Sequence, residues 1–384
     1  MTLLEYHSAI TFWAIRTGGL NTRSMLGVGL DSHNGSPCRV LSIADSMRRA
    51  AGRGARFVFV NPRRIETPEQ GIGDTVQLRP DTDVTVDGVE VHTLPRRGEL
   101  LARVVTANDV HFGEVLCGHI DGADWETYSV EPGQPPYPET MNAAVVADMT
   151  AWEPDAVVVK GDVTSNGTDD EVDRFLEVYG GAFGDRLTWV RGNHESYHHN
   201  QRGAWPTQEV TLPGVTLAVL DTSRDGRING DLDAEQLDWL DELGQRADRP
   251  VMVFGHHPVW NPAEEARHDS TFGLVPDATE ALAETFARRP RLLGYFAGHT
   301  HRNKRIGLPG VGDVPFVEVG TVKDFPGSWA EYRIHDGMVL QVHRRVTDPV
   351  ALEWSERTRG MFAGTYPGYA RGRRSDRCFA MVAR

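Results

Sequence analysis

The chain has 384 residues, 40% of them hydrophobic and 24% charged, with a formal net charge of −14, the texture of a globular protein long enough for a large core. That charge disfavours non-specific binding to nucleic-acid polymers or anionic membranes, so handling phosphate would require local cations. Three scattered cysteines, Cys38, Cys117 and Cys378, form neither a disulfide framework nor a CxxC metal site; no stretch approaches the roughly 18 apolar residues of a membrane span, and with no secretory leader at the start (Arg16 interrupts the best apolar run) the expected location is cytoplasmic.

Residues 1–82 read as a separate fragment. Within them, 44–51 suit a short helix and 55–60 (ARFVFV) a buried strand that Pro62-Arg63-Arg64 breaks. The texture changes at about Asp83. Val84, Val86, Val89 and Val91 alternate around Asp87-Gly88, a hairpin pattern. An apolar strand at 101–107 ends at Asn108-Asp109, and a helix is expected over 140–152. A strand at 155–160 delivers Gly161-Asp162; a helix follows from the N-cap Thr168 to about 178. Strand 186–190 delivers Gly192-Asn193-His194, and strand 215–220 runs into Asp221. A third helix starts at Asp233 with Gln236 as its capping-box partner. Strand 250–254 delivers Gly255-His256, a helix spans 277–288 before Pro290, and strand 292–297 delivers Gly298-His299. Short strands at 315–319, 330–335 and 338–343 follow, the last two joined by a hairpin turn at 335–338. The tail from Arg344, rich in Arg, Gly and Tyr, suits an edge segment or a lid.

Five motifs stand at strand ends: Asp109-Val110-His111, Gly161-Asp162, Gly192-Asn193-His194-Glu195, Gly255-His256 and Gly298-His299-Thr300-His301. Alternating strands and helices form an α/β sheet whose carboxyl strand ends share one rim, where sites assemble. Glycine beside Asp162, Asn193, His256 and His299 lets the backbone turn tightly and approach closely. Together the motifs supply two Asp, one Asn and four His, enough for two adjacent metal ions. Carboxylate, amide and imidazole without thiolate suit manganese, iron or zinc. Other candidates have blander readings. His198 and His199 suit the rim, with a substrate contact as the sharper alternative, and His257 suits packing. Trp152, Trp189, Trp239 and Trp260 suit core packing, and Asp221 a turn. Cys117 and His119 follow the first motif closely enough to line a pocket mouth, while Arg302 and Lys304 suit either a phosphate contact or a solvated loop.

In order and spacing the motifs resemble the calcineurin-like metallophosphoesterases, from about Asp83 to the C-terminus. The resemblance implies a four-layer α/β/β/α sandwich over 83–384. It implies that Asp109, His111 and His301 hold one divalent ion, that Asn193, His256 and His299 hold a second, and that Asp162 bridges them. It further implies in-line attack on phosphorus by metal-bound hydroxide, with Asn193 and His194 acting as catalytic residues at the transition state and the departing oxygen. Ser165 stands where a carboxylate often orients the catalytic His, and the Asp-Arg-Gly of protein phosphatases is absent, which argues against that branch and leaves open what orients His194. Residues 192–195, the Gly-His-His-Pro at 255–258 and the Leu-Asp-Thr-Ser at 220–223 are similar to the phosphodiesterase branch, which includes cyclic-nucleotide phosphodiesterases. The implied substrate is a small phosphoester such as a cyclic nucleotide or a glycerophosphodiester. Residues 58–83, with Asn21–Ser24 earlier, resemble instead the nucleotide-fold region of molybdopterin oxidoreductases, where Asn61, Arg63 and Asp81 would meet the cofactor's guanine dinucleotide. No cysteine cluster for an iron–sulfur centre accompanies them, and the segment reads as a fused or mis-joined remnant. The alternatives to a phosphodiesterase are a phosphomonoesterase on the same site, a molybdopterin-binding oxidoreductase fragment resting on residues 1–82, and an inactive scaffold.

Overall fold

The computed structural model describes residues 58–61, 64–65, 80–86, 89–95, 98–120 and 125–382. β1 (Val58–Asn61) pairs with β2 (Arg64–Ile65), and β3 (Asp83–Val86) with β4 (Val89–His92), each pair forming an antiparallel sheet of its own. The second pair is the hairpin expected around 87–88, in the register Val86↔Val89. The helix expected at 44–51 and Arg63 lie outside the described residues.

The main body contains β5 (Leu100–Ala107), β6 (Ala156–Lys160), β7 (Leu187–Val190), β8 (Thr207–Leu212), β9 (Val215–Leu220) and β10 (Val251–Phe254). It continues with β11 (Leu292–Ala297), β12 (Lys304–Ile306), β13 (Phe316–Glu318), β14 (Ser328–His335), β15 (Met338–Arg345) and β16 (Phe379–Val382). They form two six-stranded sheets, ordered β16-β15-β14-β5-β6-β7 and β12-β13-β11-β10-β9-β8. β5, β6 and β7 are parallel neighbours, as are β9, β10, β11 and β13. β6, β9, β10 and β11 are buried along their whole length. Parallel strands covered on both faces need such unbroken apolar runs, which is why these were readable from sequence.

The sheets pack face to face through Val104, Val158, Leu217, Phe254, Phe296 and Tyr332. Outside the first sheet, helices Tyr137–Thr150, Asp169–Phe175 and Pro349–Arg357 cover a core that includes Val145, Met149, Phe175, Trp329 and Trp354. Outside the second, helices Ala234–Arg246 and Pro276–Arg288 cover Leu240, Leu243, Leu282 and Phe286. This is the four-layer α/β/β/α sandwich. The capping residues begin helices as expected: Thr168 with Glu171, and Asp233 with Gln236, form reciprocal capping boxes. The tail does more than form an edge. After β15 it folds into Pro349–Arg357 and Tyr366–Arg371, then returns as β16 on the edge of β15. No helix among the described residues is long and apolar enough to cross a membrane.

Candidate metal centre

Strand pairing continues past the strand ends and fixes where the ligand motifs sit. Beyond β5 and β6, Asp109 N donates to Gly161 O (3.1 Å), and Val110 N and His111 N both donate to Asp162 O (3.0 Å). Beyond β10 and β11, Gly298 N donates to His256 O (2.9 Å). The backbone then turns sharply. Asp109, His111, Asp162, His299 and His301 all take positive φ, between 48° and 68°. Non-glycine residues rarely do so, and strain of this kind collects at functional sites. Two glycines are required by contact. A Cβ on Gly161 (φ +80°) would stand 2.6 Å from His256 Nδ1, and one on Gly192 would collide with the Asp162 carboxylate.

The seven side chains proposed as ligands converge. Ligating atoms lie within 4.8 Å of one another in three overlapping groups: Asp109, His111 and His301; Asp109, Asp162 and His256; His111, Asp162 and His194. Asp162 Oδ2 lies 3.7 Å from His111 Nε2 and 3.3 Å from His256 Nε2, between the two expected half-sites. Its Oδ1 accepts from His194 N at 2.9 Å. Asn193 Oδ1 is 3.0 Å from His256 Nε2, and His301 Nε2 is 3.6 Å from Asp109 Oδ1. His299 is grouped with His256 and His257.

Backbone carbonyls orient three imidazoles. His256 Nδ1 donates to Lys160 O (2.8 Å), His299 Nε2 to Phe272 O (2.7 Å) and His194 Nδ1 to Ser165 O (2.7 Å). Each bond sets the tautomer and leaves the other ring nitrogen for chemistry. Ser165 therefore orients His194 with its main chain, which is why no carboxylate side chain is needed there.

The electrostatics suit cations. His111 is 3% exposed, yet neither ring nitrogen has a hydrogen-bond partner. Two acceptors, Asp162 Oδ2 and Asn193 Oδ1, face His256 Nε2, an arrangement that calls for a proton or a metal between them. Burial lifts Asp109 to about 6. Burial also disfavours charge on Asp162, but His256 and His194 outweigh it and hold the carboxyl well below its usual range. Burial, then Lys323, keeps His111 and His301 neutral, and burial, then His256, takes His299 to about 3. Neutral imidazole is the form that binds metal. The residues present fit divalent ions.

The blander readings sort themselves. Both nitrogens of His257 are engaged, by Thr222 Oγ1 (2.9 Å) and Ile228 O (2.8 Å), so it packs rather than ligates. His198 and His199 line an open cleft of about 540 Å³ with Gly167, Asp169 and Arg202. Cys117 is fully buried against Asp324 rather than at a mouth. Asp221 holds Arg191 and the turn at Ser223. Arg302 is paired with Glu318 and Lys304 with Glu264. Several residues escaped sequence reasoning. Glu195 accepts from Thr164 N and Oγ1 and from Gly192 N, stapling the third motif to the second. Lys160 donates from its buried amine to Ala297 O (2.7 Å), and Glu114, Lys323 and Asp324 stand behind His111 and His301. A lysine ending an otherwise apolar strand, and a Lys-Asp pair in an apolar run, were the available signals.

The calcineurin-like phosphoesterase family model matches residues 102–303, which contain all seven converging side chains. The chain is similar to a probable glycerophosphodiester phosphodiesterase of Arcobacter nitrofigilis, 27% identical over 56% of this chain and 82% of that one. It is also similar to a cAMP/cGMP dual specificity phosphodiesterase of Mycobacterium tuberculosis, 25% identical over 50% of this chain. That match spans 62% of the mycobacterial protein, less than two thirds of its length. Among solved structures, a dimetal phosphatase from Danio rerio shares the fold, with a TM-score of 0.51 at 18% identity, covering 65% of this chain and 98% of that one.

Proposed function

This chain belongs to the calcineurin-like phosphoesterase family and is a phosphoester hydrolase; we propose that it is a dinuclear-metal phosphodiesterase acting on a small diester, a cyclic nucleotide or a glycerophosphodiester. The observation that carries the reading is Asp162, whose one carboxylate oxygen lies between His111 and His256. Asp109, His111 and His301 would hold one ion and Asn193, His256 and His299 the other, with Asp162 shared; manganese, iron and zinc all suit this donor set. Bound divalent ions supply charge neutralisation at phosphorus and lower the pKa of water.

The chain's own residues supply the rest. The buried ligands, from Asp109 at 0% exposed to His299 at 5%, exclude bulk water from the floor of the site. His194 and His301 are the partly open groups at the centre, so substrate approaches across them. His194, with Nδ1–H fixed on Ser165 O, leaves Nε2 free to take up a proton, and in that protonated form it would give the proton to the departing alkoxide or stabilise it, while Asn193 holds the adjoining position. Charge favours a diester over a monoester. The surrounding cations are already matched: Lys323 to Glu114, Arg302 to Glu318, Lys304 to Glu264 and Arg191 to Asp221. A dianionic monoester would ask for additional positive charge, whereas a singly charged diester can be served by the metals. Both relatives named above are diesterases by name, which supports the same choice. The catalytic unit is taken as residues 83–384 and 1–82 as a separate fused segment, in keeping with a family match that begins at residue 102.

With added Mn²⁺, the protein should cleave bis-p-nitrophenyl phosphate faster than p-nitrophenyl phosphate. Cyclic AMP and glycerophosphocholine should then be assayed side by side to choose the natural class. Preference for the monoester would overturn the diesterase reading, and cleavage of neither by folded, metal-loaded protein would overturn catalysis.

A further inference from the structure

We propose that Glu114 and Asp324, clamped by Lys323, are positioning residues that orient His111 and His301 toward the metal centre; this rests on the proposed ligand set. His256, His299 and His194 each lean on a backbone carbonyl at 2.7–2.8 Å. The other two imidazoles are set differently. His111 turns Nε2 toward Asp162 Oδ2 (3.7 Å) and Nδ1 toward Glu114 Oε2 (3.5 Å). His301 turns Nε2 toward Asp109 Oδ1 (3.6 Å) and Nδ1 toward Asp324 Oδ2 (3.8 Å). Both rings thus have one nitrogen inward and one toward a carboxylate that stands just beyond hydrogen-bond length; closing that short gap onto a metal-bound ring is how a carboxylate would fix the imidazole and strengthen it as a ligand.

The carboxylates are themselves held. Lys323 Nζ donates to both oxygens of Glu114 (2.6 and 2.5 Å) and lies 3.9 Å from Asp324 Oδ2. Tyr366 Oη donates to Asp324 Oδ1 (2.7 Å), and Trp354 Nε1 donates to Lys323 O (3.0 Å). The segment carrying Lys323 and Asp324 is tied to the first motif, because Thr321 Oγ1 donates to Asp109 O (2.9 Å) and Val322 N to Asn108 O (3.3 Å). Lys323 is 5% exposed and Asp324 2%. Burying Asp324 and the Lys323 ammonium beside a half-buried Glu114 gains little stability, since the desolvation cost rivals the attraction. Their placement behind two imidazoles from different strand ends is explained by a role at the metals.

The test is Mn²⁺ binding by calorimetry to wild type, Glu114→Gln and Asp324→Asn, with the thermal midpoint of each metal-free protein measured alongside. Each substitution keeps size and removes charge. The expected result is a loss of about 10–100-fold in affinity for one metal equivalent, with the other equivalent close to wild type and a lower metal-free midpoint, because Lys323 loses a buried partner. Glu114 is partly open to solvent, so Glu114→Gln decides the matter if Asp324→Asn does not fold. Unchanged affinities in the variants overturn this inference alone. Equal weakening of both equivalents, in step with a fallen midpoint, also overturns it by making the residues merely structural. A folded wild type that binds no metal overturns the ligand set and this inference together.

Discussion

The two sheets share one strand-end geometry but divide the chemistry. β5, β6 and β7 lead to Asp109, His111, Asp162, Asn193 and His194, whereas β10 and β11 lead only to imidazoles, His256, His299 and His301. All the negative charge therefore comes from the first sheet. In the proposed ligand set neither sheet carries a complete half-site: His301 would cross to Asp109 and His111, and Asn193 to His256. Lys160 ties the sheets beneath the centre, its carbonyl accepting from His256 Nδ1 and its amine donating to Ala297 O. The site thus exists only when the sandwich is closed, and metal binding should be coupled to the packing between the sheets.

Substitutions on each sheet probe that division. Asp162→Ala removes the shared carboxylate and should have the largest effect. The metals' contribution is worth several kcal/mol, so a fall in kcat/KM on the order of 10³-fold or more is expected, together with lost metal. Retained activity in this variant would break the bridging assignment. His194→Asn should lower kcat by about 10²–10⁴-fold while metal content stays at the wild-type level; lost metal would make His194 a ligand instead. Between the sheets, Phe296 is fully buried in the shared core. Phe296→Ala should cost about 3–5 kcal/mol in urea unfolding, and metal affinity should weaken with it. Undiminished affinity in a destabilised protein would show that the halves assemble independently.

The smallest expected effect lies outside the proposed ligand set, on the outer face of β14. Glu331 is fully buried and accepts from Arg333 Nε (2.7 Å) and Arg344 Nη2 (2.7 Å). Burial opposes its charge, but Arg344 and Arg333 outweigh burial and hold its carboxyl below the ordinary value of 4.5. Because the folded state favours the ionised form, this stabilisation is complete above pH 4.5 and is lost as pH falls through the lower folded value. Glu331→Gln should be less stable than wild type by about 1–3 kcal/mol near neutrality, and the gap should shrink below pH 4.5. A gap that widens with acid would contradict the ion-pair assignment.

The fold and the site were legible where burial imposed a pattern. β6, β9, β10 and β11 are covered on both faces, so their apolar runs announced them, and the glycine beside Asp162, Asn193, His256 and His299 marked the turn. β8, an edge strand of alternating exposure with the sequence TQEVTL, has no such run and escaped notice. So did β12, three half-buried residues with two charges, and the tail helices. Ser165 was read by its side chain, whereas its carbonyl does the orienting, and a backbone contact has no residue signature. Lys323 and Asp324 are distant in sequence from His111, and only the packing of the segment after β13 against the first motif brings them together.

The most direct measurement is metal stoichiometry in wild type by elemental analysis after loading with Mn²⁺ and gel filtration, read against hydrolysis of bis-p-nitrophenyl phosphate in the same fractions. Two metal equivalents per folded chain, with diester hydrolysis that requires both, is the predicted result. Full activity with a single equivalent, or a folded chain that holds none, would contradict a dinuclear centre assembled from both sheets.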